Sequence, residues 1–228
     1  MLWDVDGTLV DTAGVTAESF DRAVEAALGR HPGEHGVAMS GKTDPSIALE
    51  ILAFAGVDDD EARRHLGPVL DRLEAELAAA APRFKEKGRV LPGVEAVLGR
   101  LHAHSSVSQS VLTGNTAANA SVKLETFGLT RWLDLAVGAF GSDRHDRDQL
   151  VPVALERARR LRGRSFSPSD VWVVGDTPRD LACARAGGAS CLLVGTGRVR
   201  LSELRHAGAD HVLDDLSDTD RVCDLLLG

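Results

Sequence analysis

From residue 88 onward the chain alternates short apolar runs with helical patterns, and no other feature restricts its fold as much. Ser108–Thr113, Leu135–Val137, Val171–Val174, Ser190–Val194 and His211–Leu213 read as strands. Between them, Val94–His104, Thr116–Phe127, Leu150–Arg162, Arg179–Ala186, Leu201–Ala207 and Asp218–Leu227 carry apolar residues at helical spacing. Strands separated by helices imply right-handed crossovers and a mostly parallel α/β sheet. Sheets of this kind take ligands at the carboxyl ends of their strands, so the residues that follow each strand matter most.

The first strand is short. Met1-Leu2-Trp3 runs directly into Asp4-Val5-Asp6-Gly7-Thr8. Residues two apart on an extended chain face the same way, so Asp4 and Asp6 present paired carboxylates at the strand's end, and Gly7 lets the backbone turn there. Two such charges 4 Å apart repel by about 4 kcal/mol at an effective dielectric near 20. Something positive between them is required, and a hard divalent cation with oxygen ligands suits the role. The bland alternative is an Asp-rich turn capping the next helix. Only three residues precede Asp4, which leaves room for a missing N-terminal extension.

Residues 14–87 follow a different pattern, helical and free of strands. Thr16–Leu28 is helical, and Asp44-Pro45 reads as a cap followed by proline at the first helical position, opening a helix with Ile47, Ile51, Leu52 and Ala55 on one face. Asp58-Asp59-Asp60-Glu61 is an acidic helix start of the kind the helix dipole favours. Leu66, Val69, Leu70, Leu73 and Leu77 then recur at three- and four-residue spacing, and Pro82 is expected to stop that helix. The expected division is a core of residues 1–13 and 88–228 with a small helical module, residues 14–87, over the carboxyl-end face of the sheet.

Three further strand ends offer chemical groups. Thr113-Gly114-Asn115 supplies a hydroxyl, a turn and an amide suited to an anionic oxygen, or else an ordinary strand-to-helix turn with Thr116 as cap. Gly175-Asp176-Thr177-Pro178-Arg179-Asp180 places Asp176 at a strand end with Asp180 one helical turn later, although Asp176 or Thr177 could simply cap the helix. The run from Asp143 to Asp148 offers Arg144 and Arg147 as cations, against the alternative of a solvated loop.

Composition narrows the class. The 228 residues are 43% hydrophobic and 26% charged, as in soluble globular proteins. A net charge of −8 argues against general nucleic-acid binding, which draws its affinity from Lys and Arg. Cys183, Cys191 and Cys223 lack metal-ligand spacing and fit reduced thiols in a cytoplasm. No apolar stretch approaches the length of a membrane span, and no signal-peptide pattern is present. The arginines from Arg157 to Arg164 suit a helix C-terminus, Gly195-Thr196-Gly197 falls short of a dinucleotide fingerprint, and Trp3 and Trp172 read as core.

Together these motifs resemble the haloacid dehalogenase superfamily, in particular its phosphoglycolate phosphatase and β-phosphoglucomutase-like members. Asp4–Val10, Leu112–Asn115, the 143–147 region and Val174–Asp180 occur in the family's order, so the resemblance spans nearly the whole chain. It implies a Rossmann-like three-layer core with a mobile helical cap. It also implies a Mg²⁺-dependent phosphatase acting on a small phosphorylated metabolite. Asp4 would be the nucleophile, forming an aspartyl-phosphate, and Asp6 the acid and base. The metal would sit among the Asp4 carboxylate, the Asp6 backbone carbonyl and Asp176, with Asp180 in its outer shell. Thr113, Gly114 and Asn115 would hold phosphate oxygens. Within the cap, Ser40-Gly41-Lys42-Thr43-Asp44 resembles the family's substrate loop, so Lys42 is a candidate for the non-reacting end of the substrate, or a solvated turn lysine.

One departure stands out: the family's usual lysine before the third helix is missing, and Arg147 is expected in its place, with Arg144 as the alternative. A phosphosugar mutase would share all of these residues. A phosphate-binding or regulatory homologue without turnover is the reading from outside enzymes. A dehalogenase would need neither Asp6 nor a metal, so Asp6 and Asp176 argue against it.

Overall fold

Leu2–Trp3 (β1) lies at the middle of the main sheet in the computed structural model, which describes residues 1–228. It pairs in parallel with Ser110–Thr113 (β4) on one side and Trp172–Gly175 (β6) on the other. Ala139–Phe140 (β5) extends the sheet beyond β4, and Ser190–Val194 (β7) and His211–Leu213 (β8) extend it beyond β6. All five pairings are parallel, in the order β5-β4-β1-β6-β7-β8. The chain runs outward from β1 to β5, then returns to β6, so the strand order reverses beside β1. That reversal opens a crevice at the carboxyl ends of β1 and its neighbours.

Alternation along the strands builds three layers. Trp3, Val111, Val174 and Leu192 join one cluster with residues of Val94–His102 (α5), Ala117–Thr126 (α6) and Thr219–Leu227 (α10). Their neighbours Leu2, Leu112, Val173 and Leu193 point the other way, onto Leu150–Arg162 (α7), Pro178–Ala186 (α8) and Leu201–His206 (α9). Helices therefore cover both faces of a buried parallel sheet.

The helices Val15–Leu28 (α1), Asp44–Phe54 (α2), Asp59–Ala79 (α3) and Ala81–Lys87 (α4) have their own core, with Phe20, Ile51, Leu73, Leu77 and Phe84 fully or almost fully buried. Burying each such side chain contributes about 1.5–3 kcal/mol. The module joins the sheet through a small antiparallel ribbon, Val10–Asp11 (β2) with Arg89–Val90 (β3). Helix α6 packs both ways: Ala120 and Leu124 enter the sheet core, while Val122 lies against the four-helix core. No helix is long and apolar enough to cross a membrane.

Three local expectations need correction. Leu135–Val137 is a 3-10 turn, and the strand is the later pair Ala139–Phe140. An apolar run of three residues carries too little periodicity to tell the two apart. Pro82 sits in the first turn of α4 instead of simply ending α3, as suits a residue whose missing N–H costs nothing there. The cap of α2 is Thr43, whose side chain accepts from the Ser46 N–H at 3.4 Å, so Asp44 is already helical.

Candidate active site

Four strand ends converge on one cavity of about 390 Å³ between the sheet edge and the helical module. The Asp4 N–H donates to the carbonyl of Val174 at 2.8 Å, which fixes Asp4 beside the strand that delivers Asp176. Gly7 turns the chain with φ of 83°, and a Cβ there would lie 2.5 Å from Asp176 Oδ2. Only glycine admits both the left-handed backbone and that approach. Carboxylate oxygens of Asp4, Asp176 and Asp180 lie within 4.8 Å of one another, and all three residues are buried.

Burial drives the protonation of this group. It pushes Asp4 up to about 6; the Arg147 guanidinium opposes the rise, while Asp180 and Asp6 add to it. Asp176 goes to about 9, through burial first and then the charges of Asp180 and Asp4. Arg147 is buried as well. Desolvation pulls its pKa down, but Asp180 and Asp4 more than offset this and keep it protonated. Its Nη2 lies 3.1 Å from Asp4 Oδ1 and pairs with Asp180, and its Nη1 donates to the Gly41 carbonyl at 3.3 Å. Its Nε has no partner. Arg144 is exposed and donates to the Asp143 backbone carbonyl, so Arg147 is the arginine brought to the acids.

Asp180 has both oxygens engaged. Oδ1 takes Arg147, and Oδ2 accepts from the Thr177 N–H at 2.9 Å and hydroxyl at 2.7 Å. It therefore also closes the first turn of α8, and the expected capping role of this motif coexists with the acidic cluster. Thr8 Oγ1 donates to Asp176 Oδ1 at 3.4 Å.

The Asp6 side chain points away from that cluster. It is 38% exposed, and its Oδ2 accepts from Asn115 Nδ2 at 2.9 Å and Lys123 Nζ at 2.6 Å. Asn115 also donates to Thr113 Oγ1 at 2.8 Å, so the Thr113–Asn115 turn and Asp6 form one network. Thr116 caps α6 as expected, its side chain accepting from the Asn119 N–H at 3.3 Å. Lys42 lines the cavity from the helical module and pairs with Glu50 at 2.5 Å.

Sequence reasoning passed over Lys123 and Asp44. Lys123 is fully buried on α6, and Asp44 is buried where α2 meets the sheet edge. Asp44 Oδ2 accepts from the Thr116 N–H at 2.8 Å and Asn119 Nδ2 at 2.7 Å, while its own N–H donates to the Gly114 carbonyl at 2.7 Å. Burial raises its pKa to about 6, with Lys123 and Asn119 opposing the rise. A signal for Lys123 did exist. Asn119, Ala120, Lys123 and Leu124 fall at helical spacing on one buried face, where a lysine needs a partner.

The donor set suits a hard divalent cation. All donors are carboxylate oxygens, and the ion pairs among Asp4, Asp6, Asp176 and Asp180 are made with Arg147 and Lys123. Burial is the main cause of the raised Asp4 and Asp176, and the charge of Asp180 adds to both.

Residues 1–194 match the family described as haloacid dehalogenase-like hydrolase. The chain belongs to the haloacid dehalogenase-like hydrolases. Among relatives of this family member, the phosphoglycolate phosphatase of Salmonella typhimurium is 29% identical over 199 residues, covering 82% of this chain and 77% of that protein. Two solved structures share its fold. One is a predicted phosphatase from Clostridium acetobutylicum, with a TM-score of 0.70, 18% identity and coverage of 98% and 97% of the two chains. The other is a predicted phosphoglycolate phosphatase from Haemophilus somnus, with a TM-score of 0.69, 18% identity and coverage of 96% and 95%. At such identity the two structures speak for the fold alone. As a haloacid dehalogenase-like hydrolase, the chain carries its four acids and Arg147 in the strand order described above.

Proposed function

We propose that this hydrolase is a Mg²⁺-dependent phosphatase that acts on a small phosphorylated metabolite through an aspartyl-phosphate on Asp4. The observation that carries the proposal is the placement of Asp4 against Arg147, Asp176 and Asp180 at the floor of the cavity, with Asp6 turned aside toward Lys123. In this reading an Asp4 carboxylate oxygen bonds to phosphorus as the ester P–O bond breaks, and the leaving oxygen takes a proton from Asp6. Asp6, now a carboxylate, accepts a proton from a water whose oxygen attacks phosphorus, which frees phosphate and restores Asp4.

Asp4, Asp176 and the Asp6 backbone carbonyl would hold Mg²⁺, with Asp180 behind them. The ion would offset the repulsion between a carboxylate and a phosphate dianion. Arg147 stabilises the Asp4 side of the transfer, and as a planar fork it can hold two oxygens where a lysine holds one point. Thr113, Gly114 and Asn115 receive the remaining phosphate oxygens, and Lys42 meets the far end of an anionic substrate. Residues 14–87 act as the cap and residues 1–13 and 88–228 as the core. The negative net charge and the free, buried cysteines favour a cytoplasmic enzyme that does not bind nucleic acid.

The test is phosphate release from p-nitrophenyl phosphate and from a panel of phosphorylated metabolites, with Mg²⁺ and then with EDTA. Release that requires the metal and is abolished in Asp4→Asn is expected. Turnover surviving in Asp4→Asn would remove Asp4 as the nucleophile.

A further inference from the structure

Two donors on one oxygen of Asp6 leave the other oxygen for chemistry. Lys123 Nζ and Asn115 Nδ2 both reach Oδ2, at 2.6 and 2.9 Å. Lys123 Nζ also donates to Asn115 Oδ1 at 2.6 Å, so lysine, amide and carboxylate close a three-membered ring of hydrogen bonds. The lysine is fully buried, while the Asp6 side chain is partly open to the cavity. A buried ammonium is retained only where it is paired and hydrogen-bonded, and both acceptors here belong to the catalytic floor.

We infer that Lys123 is the positioning residue for the acid–base step: by gripping Asp6 Oδ2 it fixes the carboxyl group so that Oδ1 carries the proton to and from the reacting oxygen. The inference rests on the phosphatase reading, since it concerns the proton transfer in that reaction. The rise and pitch of α6 place Asn119 one turn before Lys123. The face that grips Asp6 therefore also grips Asp44 of the helical module through Asn119. Docking of that module and orientation of the acid thus depend on the same helix. Arg147 has a different station, on Asp4 and Asp180, so the two cations divide the site between nucleophile and acid.

Leaving-group dependence tests the role. An alkyl phosphomonoester needs a proton on its departing oxygen, whereas 2,4-dinitrophenyl phosphate departs without one. In Lys123→Met, kcat for the best alkyl substrate is expected to fall by about 100-fold, within the range general acid catalysis supplies. With 2,4-dinitrophenyl phosphate the expected loss is about threefold or less, and KM should hold for both. The ratio of the two rates on one preparation does not depend on how much of the protein is folded. A crystal structure of Lys123→Met should show the Asp6 carboxylate in more than one orientation. Equal losses on both substrates, or a rise in KM with kcat intact, would overturn the role. A wild type that hydrolyses no phosphomonoester in Mg²⁺ would contradict the phosphatase reading and remove this role with it.

Discussion

Asp4, Asp44 and Asp176 each hold a proton more tightly in the fold than in the unfolded chain, at about 6, 6 and 9 against 3.8. A carboxyl with a raised folded pKa contributes stability below its unfolded value, and that contribution is lost as pH rises through the folded value. Without metal, the melting temperature is therefore expected to fall between about pH 4 and pH 7 as Asp4 and Asp44 ionise, and further toward pH 9 as Asp176 follows. Calorimetry across that range checks it; a melting temperature that climbs from pH 5 to pH 8 without metal would contradict these burial-driven shifts. The two arginines in the 143–148 run separate just as clearly. Arg147→Ala should lower kcat by about 100-fold or more, the scale of losing a charged group at a transition state, whereas Arg144→Ala should leave kinetics nearly unchanged. The reverse result in steady-state kinetics would move the role to Arg144. The convergence of Asp4 and Asp176 was legible because each follows a strand and faces a known edge. Arg147 was expected only through the family resemblance, with Arg144 left open. Lys123 was not legible, because its partner Asp6 lies 117 residues away in the chain and helical periodicity alone does not say what a buried lysine meets.

At the scale of elements, α2 and the turn after β4 are locked together. Gly114 marks the contact: a Cβ there would lie 1.9 Å from the Lys42 carbonyl oxygen. Gly114→Ala should force residues 40–43 away from the sheet edge and raise KM several-fold, and an unchanged KM would mean that the substrate does not need this contact. Asp44→Ala strands the Thr116 N–H and the Asn119 amide, both buried, and should cost about 1–3 kcal/mol in chemical denaturation. The helix α7 and the strands β7 and β8 match the expected bounds residue for residue. Their apolar spacing is regular and Gly163 ends α7 in a left-handed conformation. The two-residue β5 escaped because Leu135–Val137 is the longer apolar run. Asp44 was read as a cap, and its reach across to α6 is a tertiary contact that no local signal carries.

Over the whole molecule, a parallel sheet gathers chemistry from four distant segments, and a second hydrophobic core spans the opening. The parallel α/β sheet and the helical block were both visible in the sequence. The module was expected over the carboxyl-end face, but the contacts that dock it there, such as Asp44–Asn119, were not visible. Under the proposed reading, the clustered acids would hold a divalent ion and the fold would respond to it. Saturating Mg²⁺ should raise the melting temperature, and by more at pH 8 than at pH 5, because the ion competes with protons for Asp4 and Asp176. Asp176→Asn should abolish most of that rise, and a rise that persists would place the ion elsewhere. The most direct test of the account is the site of covalent attachment. After a single turnover with the best substrate, stopped in acid, mass spectrometry should find a phosphoryl group on the peptide that carries Asp4. A phosphoryl group on any other residue, or none while phosphate is still being released, would contradict it.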